Sequence, residues 1–229
     1  MNAAVFASGS GSNFQALLDR EGRGSLWRTR LLIVDRAGAG AVARAERGGI
    51  PVCHVPVTGR PPGELGEETL SALQEARIDV IFLAGYLRLI PSSVVAAFPR
   101  RILNVHPAIL PAFGGKGMWG AAVHEAVLKS GVLVTGVTVH FVDERYDEGT
   151  ILSQWPVPVR PDDDAGTLAA RVLRVEHLLY PLVAQHLCRA LVAEIEPAPL
   201  APPHEAFSLV GGLDESFLTQ MIQGAFRST

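Results

Sequence analysis

Between residues 3 and 106 the chain sets down five short apolar runs, each separated from the next by a longer stretch of helical character. The runs are AAVFA (3–7), RLLIV (30–34), PVCHV (51–55), DVIFLA (79–84) and RILNVH (101–106). They are nearly continuous rather than alternating, as expected of strands covered on both faces. Strands that alternate with helices predict a mainly parallel sheet, because a parallel neighbour needs a crossover long enough to hold a helix. The expected fold class is therefore α/β, a Rossmann-like sheet with helices on both faces.

After residue 106 the rhythm changes. A Pro/Gly loop (107–117) leads to a helix near 119–130. Two longer runs, VLVTGVTVHFV (132–142) and GTILSQWPVPV (149–159), are joined by the acidic segment DERYDE. They read as a late hairpin-like strand pair at the sheet edge. An amphipathic helix over about 166–192 follows. From Glu194 the chain is rich in proline (Pro197, Pro199, Pro202, Pro203) and then weakly helical over 213–225. The expected organisation is one domain over 1–192 and a partly ordered Pro-rich tail over 193–229, with no internal repeat.

Composition removes several function classes. A formal net charge of −3 over 229 residues carries no nucleic-acid footprint. The apolar run around VIFLAGYL is far shorter than the roughly 20 residues a membrane span needs, so no membrane partner is expected. The start, MNAAVFASGS, lacks a basic leader and reads as a first strand. Cys53 and Cys188 stand far apart without metal spacing and read as reduced thiols. The expectation is a cytoplasmic protein acting on small molecules, as a monomer or homodimer, without metal. His106, His124 and His140 show no metal-ligand spacing, and His124, in HEAV on an amphipathic helix, reads as a surface residue.

Two places carry chemistry. ASGSGSNFQALL places Gly9 and Gly11 between a strand and a helix opening at Ser12 or Asn13, the arrangement that binds anions. Phe14 takes the place of the third glycine of a dinucleotide fingerprint, and no Gly-Lys-Ser/Thr follows. A tight turn with a helix cap fits the same letters. The second place is ILNVHPAIL (102–110), where Asn104 and His106, two apart on a strand, share a face at a strand end, the ligand-binding edge of a parallel sheet. An amide suits a developing oxyanion and an imidazole handles a proton near neutral pH. The loop between the late strands supplies Asp143, Glu144, Asp147 and Glu148, any of which can orient the imidazole. With no Ser or Cys nucleophile beside them, these groups point to direct transfer through a tetrahedral intermediate.

The segments SGSGSN (8–13), LAGYLRLI (83–90), ILNVHPAILPAFGGKG (102–117), VTGVTVHFVDERYDEGTIL (134–152) and RVEHLLYP (174–181) resemble, in the same order, those of the formyltransferase superfamily, in its phosphoribosylglycinamide formyltransferase branch. The resemblance covers about residues 1–190. It implies a Rossmann-like fold and transfer of the formyl group of 10-formyltetrahydrofolate, the cosubstrate, to the amine of glycinamide ribonucleotide in purine synthesis. It implies catalysis by Asn104, His106 and Asp147, and ribonucleotide binding by Gly11, Ser12, Asn13 and Glu176. Folate would lie against Leu87, Arg88, Ile90, Val142 and Asp143.

The chain departs from the family pattern in four places. Ala108 stands where Ser is usual, Gly114 where Pro is frequent, and Asp35-Arg36 where many members carry Ser-Asn. Leu173 replaces a polar phosphate contact, a task that falls to Lys116 or Arg171. Rival readings are a formyltetrahydrofolate hydrolase, expected to open with a regulatory domain, and a methionyl-tRNA formyltransferase, expected to add a basic domain. A sugar-nucleotide formyltransferase fits the same scaffold. A non-catalytic module binding a phosphate ligand is the reading from another class, and the presence of both His106 and Asp147 argues against it.

Overall fold

A computed structural model describes residues 1–200 and Gln220. Along the chain run β1 (Asn2–Ala7), α1 (Ser12–Glu21), β2 (Arg28–Val34), α2 (Gly40–Arg47), β3 (Val52–His54), α3 (Pro62–Glu75), β4 (Val80–Leu83), α4 (Ser92–Ala97), β5 (Ile102–His106), α5 (Ala121–Ser130), β6 (Val134–Phe141), β7 (Ile151–Pro158) and α6 (Ala165–Val192). The strands form one sheet in the order β3-β2-β1-β4-β5-β6-β7. Neighbours from β3 through β5 are parallel, and β6 and β7 close the edge antiparallel. The α/β class, the five parallel strands and the late hairpin are thus present. Sequence reading missed α4, one and a half turns after Pro91 whose β-branched Val94 and Val95 weaken the helical signal.

Strand order reverses at β1. The chain winds outward through β2 and β3, then returns to place β4 on the other side of β1, which leaves a crevice beyond the carboxyl ends of β1 and β4. The two loops there are tied together: Ser8 N donates to Gly85 O, and Leu87 N to Ser8 Oγ, both at 3.0 Å.

The two faces are unlike. Alternate residues Ala3, Val5, Ala7, Phe82, Leu103, Val105, Val137 and Val139 pack with α1, α2, α5 and α6 in one large apolar core. The opposite alternation, Ala4, Phe6, Ile33, Ile81, Leu83 and Ile102, packs with α3 and α4. The main core draws on every strand but β3, whereas the second core stops at Ile102 of β5. Beyond Ile102 its row continues as Asn104 and His106, paired across to His140 and Thr138 of β6. The face therefore turns polar where helical cover ends.

The helix α6 starts on a capping box between Asp164 and Thr167. Past it, Ile195 N bonds to Ala190 O, and Leu200 lies beside the edge strand, with Leu200 N donating to Leu152 O at 2.7 Å and Ser153 Oγ to Leu200 O at 2.9 Å. The helical expectation for 213–225 lies outside the described residues, apart from Gln220.

Candidate active site

Asn104 and His106 project from the face of β5 that lacks helical cover, where loops bury His106, and meet Asp147 there. Because β6 runs antiparallel, its end lies level with the start of β5: Val142 N donates to Ile102 O. The loop after it brings Asp147 beside Asn104 and His106. Gly149 permits the turn. A Cβ there would stand 1.8 Å from Phe141 O, a distance no side chain tolerates. Asp147 itself sits in the left-handed region at φ 57, which aspartate tolerates better than most residues.

Each partner is fixed. Asp147 Oδ2 accepts from Gly115 N at 3.0 Å and lies 3.5 Å from His106 Nδ1. Its Oδ1 lies 3.4 Å from Asn104 Nδ2 and 3.6 Å from His140 Nε2. His106 Nε2 stands 2.8 Å from Phe113 O. A carbonyl only accepts, so Nε2 carries the hydrogen and Nδ1 is turned to the carboxylate. By the same logic His140 Nδ1 donates to Phe141 O at 2.8 Å, and its Nε2 accepts from Asn104 Nδ2 at 3.1 Å. Two acceptors on one side fix the orientation of the Asn104 amide.

The electrostatics follow from this packing. Burial pushes His106 below its ordinary 6.5, against the opposing pull of Asp147 and the Phe113 carbonyl. Burial alone would raise Asp147, but His140, His106 and the Gly115 N–H outweigh it and hold the carboxyl below its ordinary value. The centre therefore combines an ionised carboxylate with an imidazole whose charged form burial disfavours and the carboxylate favours.

A second polar row fixes the 107–117 loop. Thr138 Oγ1 donates to Ala108 O at 2.7 Å and accepts from Leu110 N at 3.0 Å, and Gln154 Nε2 donates to Leu110 O at 2.9 Å. Gly114 lets the loop lie against the acid, since a Cβ there would be 3.2 Å from Asp147 Cβ and 2.5 Å from Leu110 Cδ2.

These groups open into a cleft of about 710 Å³. Leu87, Arg88, Ile90 and Val142 line it, as does Tyr146. Asp143 is not among its lining residues; its Oδ1 accepts from Arg145 N at 2.8 Å and shapes the loop. Asn13 and Glu176 line the same cleft and are bonded to each other, Asn13 Nδ2 donating to Glu176 Oε2. Burial raises Glu176 from 4.5 to about 7, with the Asn13 bond opposing.

The residues of the first loop divide between two places. Gly11, at φ 73, packs so closely on Ala41 that a Cβ would fall 2.7 Å from its Cα, and it does not line the cleft. Ser12 faces a separate groove with Arg20, Arg23 and Arg44. Of the two candidate phosphate cations, Arg171 is bound by Asp163 and by Pro158 O, whereas Lys116 lines the cleft.

One histidine was misjudged from sequence and another was overlooked. His124 is buried and lines the cleft rather than the surface, because α5 turns it inward with Val123 and Val127. His140 entered the sequence reading only as a histidine without metal-ligand spacing, yet it orients Asn104. The polar positions of GVTVHF, Thr138 and His140, alternate with Val137, Val139 and Phe141, and this period was the available signal. Among the described residues no group of His, Cys, Asp or Glu could hold a metal ion, and no helix is long and apolar enough to cross a membrane.

Comparison with known proteins places this chain in a family. Residues 1–184 match the formyl transferase family. The chain is 46% identical over 187 residues to the chloroplastic phosphoribosylglycinamide formyltransferase of Vigna unguiculata, an alignment covering 81% of this chain and 60% of that protein. It thus spans less than two thirds of the length of that relative. The glycinamide ribonucleotide transformylase 1 of Symbiobacterium toebii superposes with a TM-score of 0.76 at 39% identity, over 83% of this chain and 88% of that one. The enzyme from Geobacillus kaustophilus gives 0.74 at 41%, over 82% and 98%. The chain belongs to the formyl transferase family and, within it, to the phosphoribosylglycinamide formyltransferases.

Proposed function

We propose that this chain transfers the formyl group of 10-formyltetrahydrofolate to the primary amine of glycinamide ribonucleotide, a step of purine biosynthesis. The observation that carries this reading is the convergence of Asn104, His106 and Asp147 at the wall of one cleft. Attack of the amine on the formyl carbon forms a C–N bond and places negative charge on the formyl oxygen. The Asn104 N–H that rests on Asp147 at 3.4 Å is the more weakly held of the two and turns to that oxygen. His106 Nδ1 receives the proton shed by the amine, and the ionised Asp147 stabilises the imidazolium. The proton then passes to N10 of the folate, directly or through a water that Asp147 orients, as the bond from the formyl carbon to N10 breaks. No covalent enzyme adduct forms.

Folate lies against Leu87, Arg88, Ile90 and Val142, where a largely apolar wall suits a flat pterin. Asn13 and Glu176 take the ribonucleotide on the side of α1 and α6, with Lys116 supplying charge for its phosphate. Ser12 and Gly11 act by shaping the helix start. We infer a cytoplasmic location from two free thiols and the absence of a membrane-spanning helix among the described residues; the plant relatives are named chloroplastic. The test is an absorbance assay of tetrahydrofolate release. Release that requires glycinamide ribonucleotide supports the reading. Equal release with water alone identifies a hydrolase, and no release with either points to another amine acceptor or to a binding module.

A further inference from the structure

The loop after β4 carries Arg88 into the folate side of the cleft, and its backbone is held by two bonds to Ser8. Neither bond restrains the Arg88 side chain. That side chain is long, has several rotatable bonds and is 47% exposed. One contact does restrain it: Arg88 Nε donates to Asp35 Oδ2 at 2.8 Å.

Asp35 follows directly on β2, and its carboxylate is 1% exposed. Among the described residues its Oδ1 has no hydrogen-bond partner, and the neighbouring Arg36 Nε lies 3.9 Å away, beyond hydrogen-bond reach. A buried carboxylate is expensive to keep unless a cation pairs with it. Here the pair spans 53 residues and joins the ends of β2 and β4 on either side of the β1 switch point. Arg88 contributes only Nε to the pair. The guanidinium is planar, so a fixed Nε fixes the directions of both Nη groups as well.

We propose that Asp35 is a positioning residue for folate: it aims the Arg88 guanidinium along the cleft wall, so that the two Nη groups meet the ligand already oriented. Asp35 does not line the cleft and acts through Arg88 alone. The pair also balances the arginine's charge, so Arg88 contributes direction rather than a free cation. This inference rests on reading the cleft as a folate site.

The test is equilibrium binding of tetrahydrofolate, which needs no turnover, to the wild type, Asp35→Asn, Arg88→Ala and the double variant. Asp35→Asn weakens binding about tenfold in the Arg88 background and less than twofold in the Arg88→Ala background, a coupling within the range that double-mutant cycles give for contacting residues. The KM for the ribonucleotide stays at its wild-type value. Arg88→Lys, at an exposed side chain, keeps the charge but loses the planar fork, and weakens binding as Asp35→Asn does. An equal effect of Asp35→Asn in both backgrounds assigns Asp35 a general structural role and overturns the proposal. So does wild-type affinity in Arg88→Lys. Failure of the wild type to bind tetrahydrofolate at all overturns the folate reading itself.

Discussion

The two faces of the sheet are built from the same strands and do different work. On one, Leu103, Val105, Val137 and Val139 are at most 6% exposed and lie under α1, α5 and α6. On the other, the residues between them, Asn104, His106, Thr138 and His140, are polar and hydrogen-bonded. The pleat alone separates a core from a reaction centre over distances of one residue. The closed face holds the strands rigid, and the open face inherits that rigidity for groups that must keep their positions to within about half an ångström.

Paired substitutions one residue apart put this division at risk. His106→Ala, on the open face, lowers kcat by about 10³-fold, within the 10²–10⁴ usual for a proton-transfer group, while the unfolding temperature stays near wild type. A near-normal rate removes His106 from the mechanism. Leu103→Ala, on the closed face, does the reverse: it costs roughly 2–5 kcal/mol of stability through the cavity it leaves, with kcat per folded molecule little changed. If denaturant titration shows no loss, the apolar face is not the support we describe.

Gly149→Ala sharpens the comparison without touching a reacting group. A Cβ 1.8 Å from Phe141 O forces the 142–149 loop outward and Asp147 with it. A displacement on the order of 1 Å costs about 10²-fold in rate, and steady-state kinetics on the folded variant reads it directly.

A smaller effect separates the buried Glu176 from the ionised Asp147. The folded pKa of Glu176 is raised from 4.5 to about 7. The folded state therefore holds a proton that the unfolded state has lost, and this contribution to stability, full below pH 4.5, declines as pH rises through about 7. Glu176→Gln flattens that decline in a series of denaturant titrations from pH 4 to 8. An unchanged slope places the burden on another group.

Much of the closed face was readable as sequence because burial on both sides leaves continuous runs of Val, Ile, Leu and Phe. Asn104 and His106 were readable for the complementary reason, as polar letters inside such a run. Asp147 stood among four acids in one loop, and only the family motif distinguished it, since its role depends on Gly149 admitting a close backbone approach. The letters SGSGSN do not say which way α1 is rolled about its axis. The roll turns Asn13 into the cleft and Ser12 away from it. His124 was misplaced for the same reason on α5. The two cases share a cause: a pattern fixes which residues lie on one side of a helix, but packing decides what that side faces.

The account's central claim is that the open face carries a formyl carbon from one nitrogen to another with a proton handled by His106. The most direct measurement follows a labelled formyl carbon from 10-formyltetrahydrofolate, with glycinamide ribonucleotide present, in wild type and His106→Ala. The account predicts label on the ribonucleotide in the wild type and a transfer slower by about 10³-fold in the variant. Label recovered as formate, or equal transfer by both proteins, would contradict it.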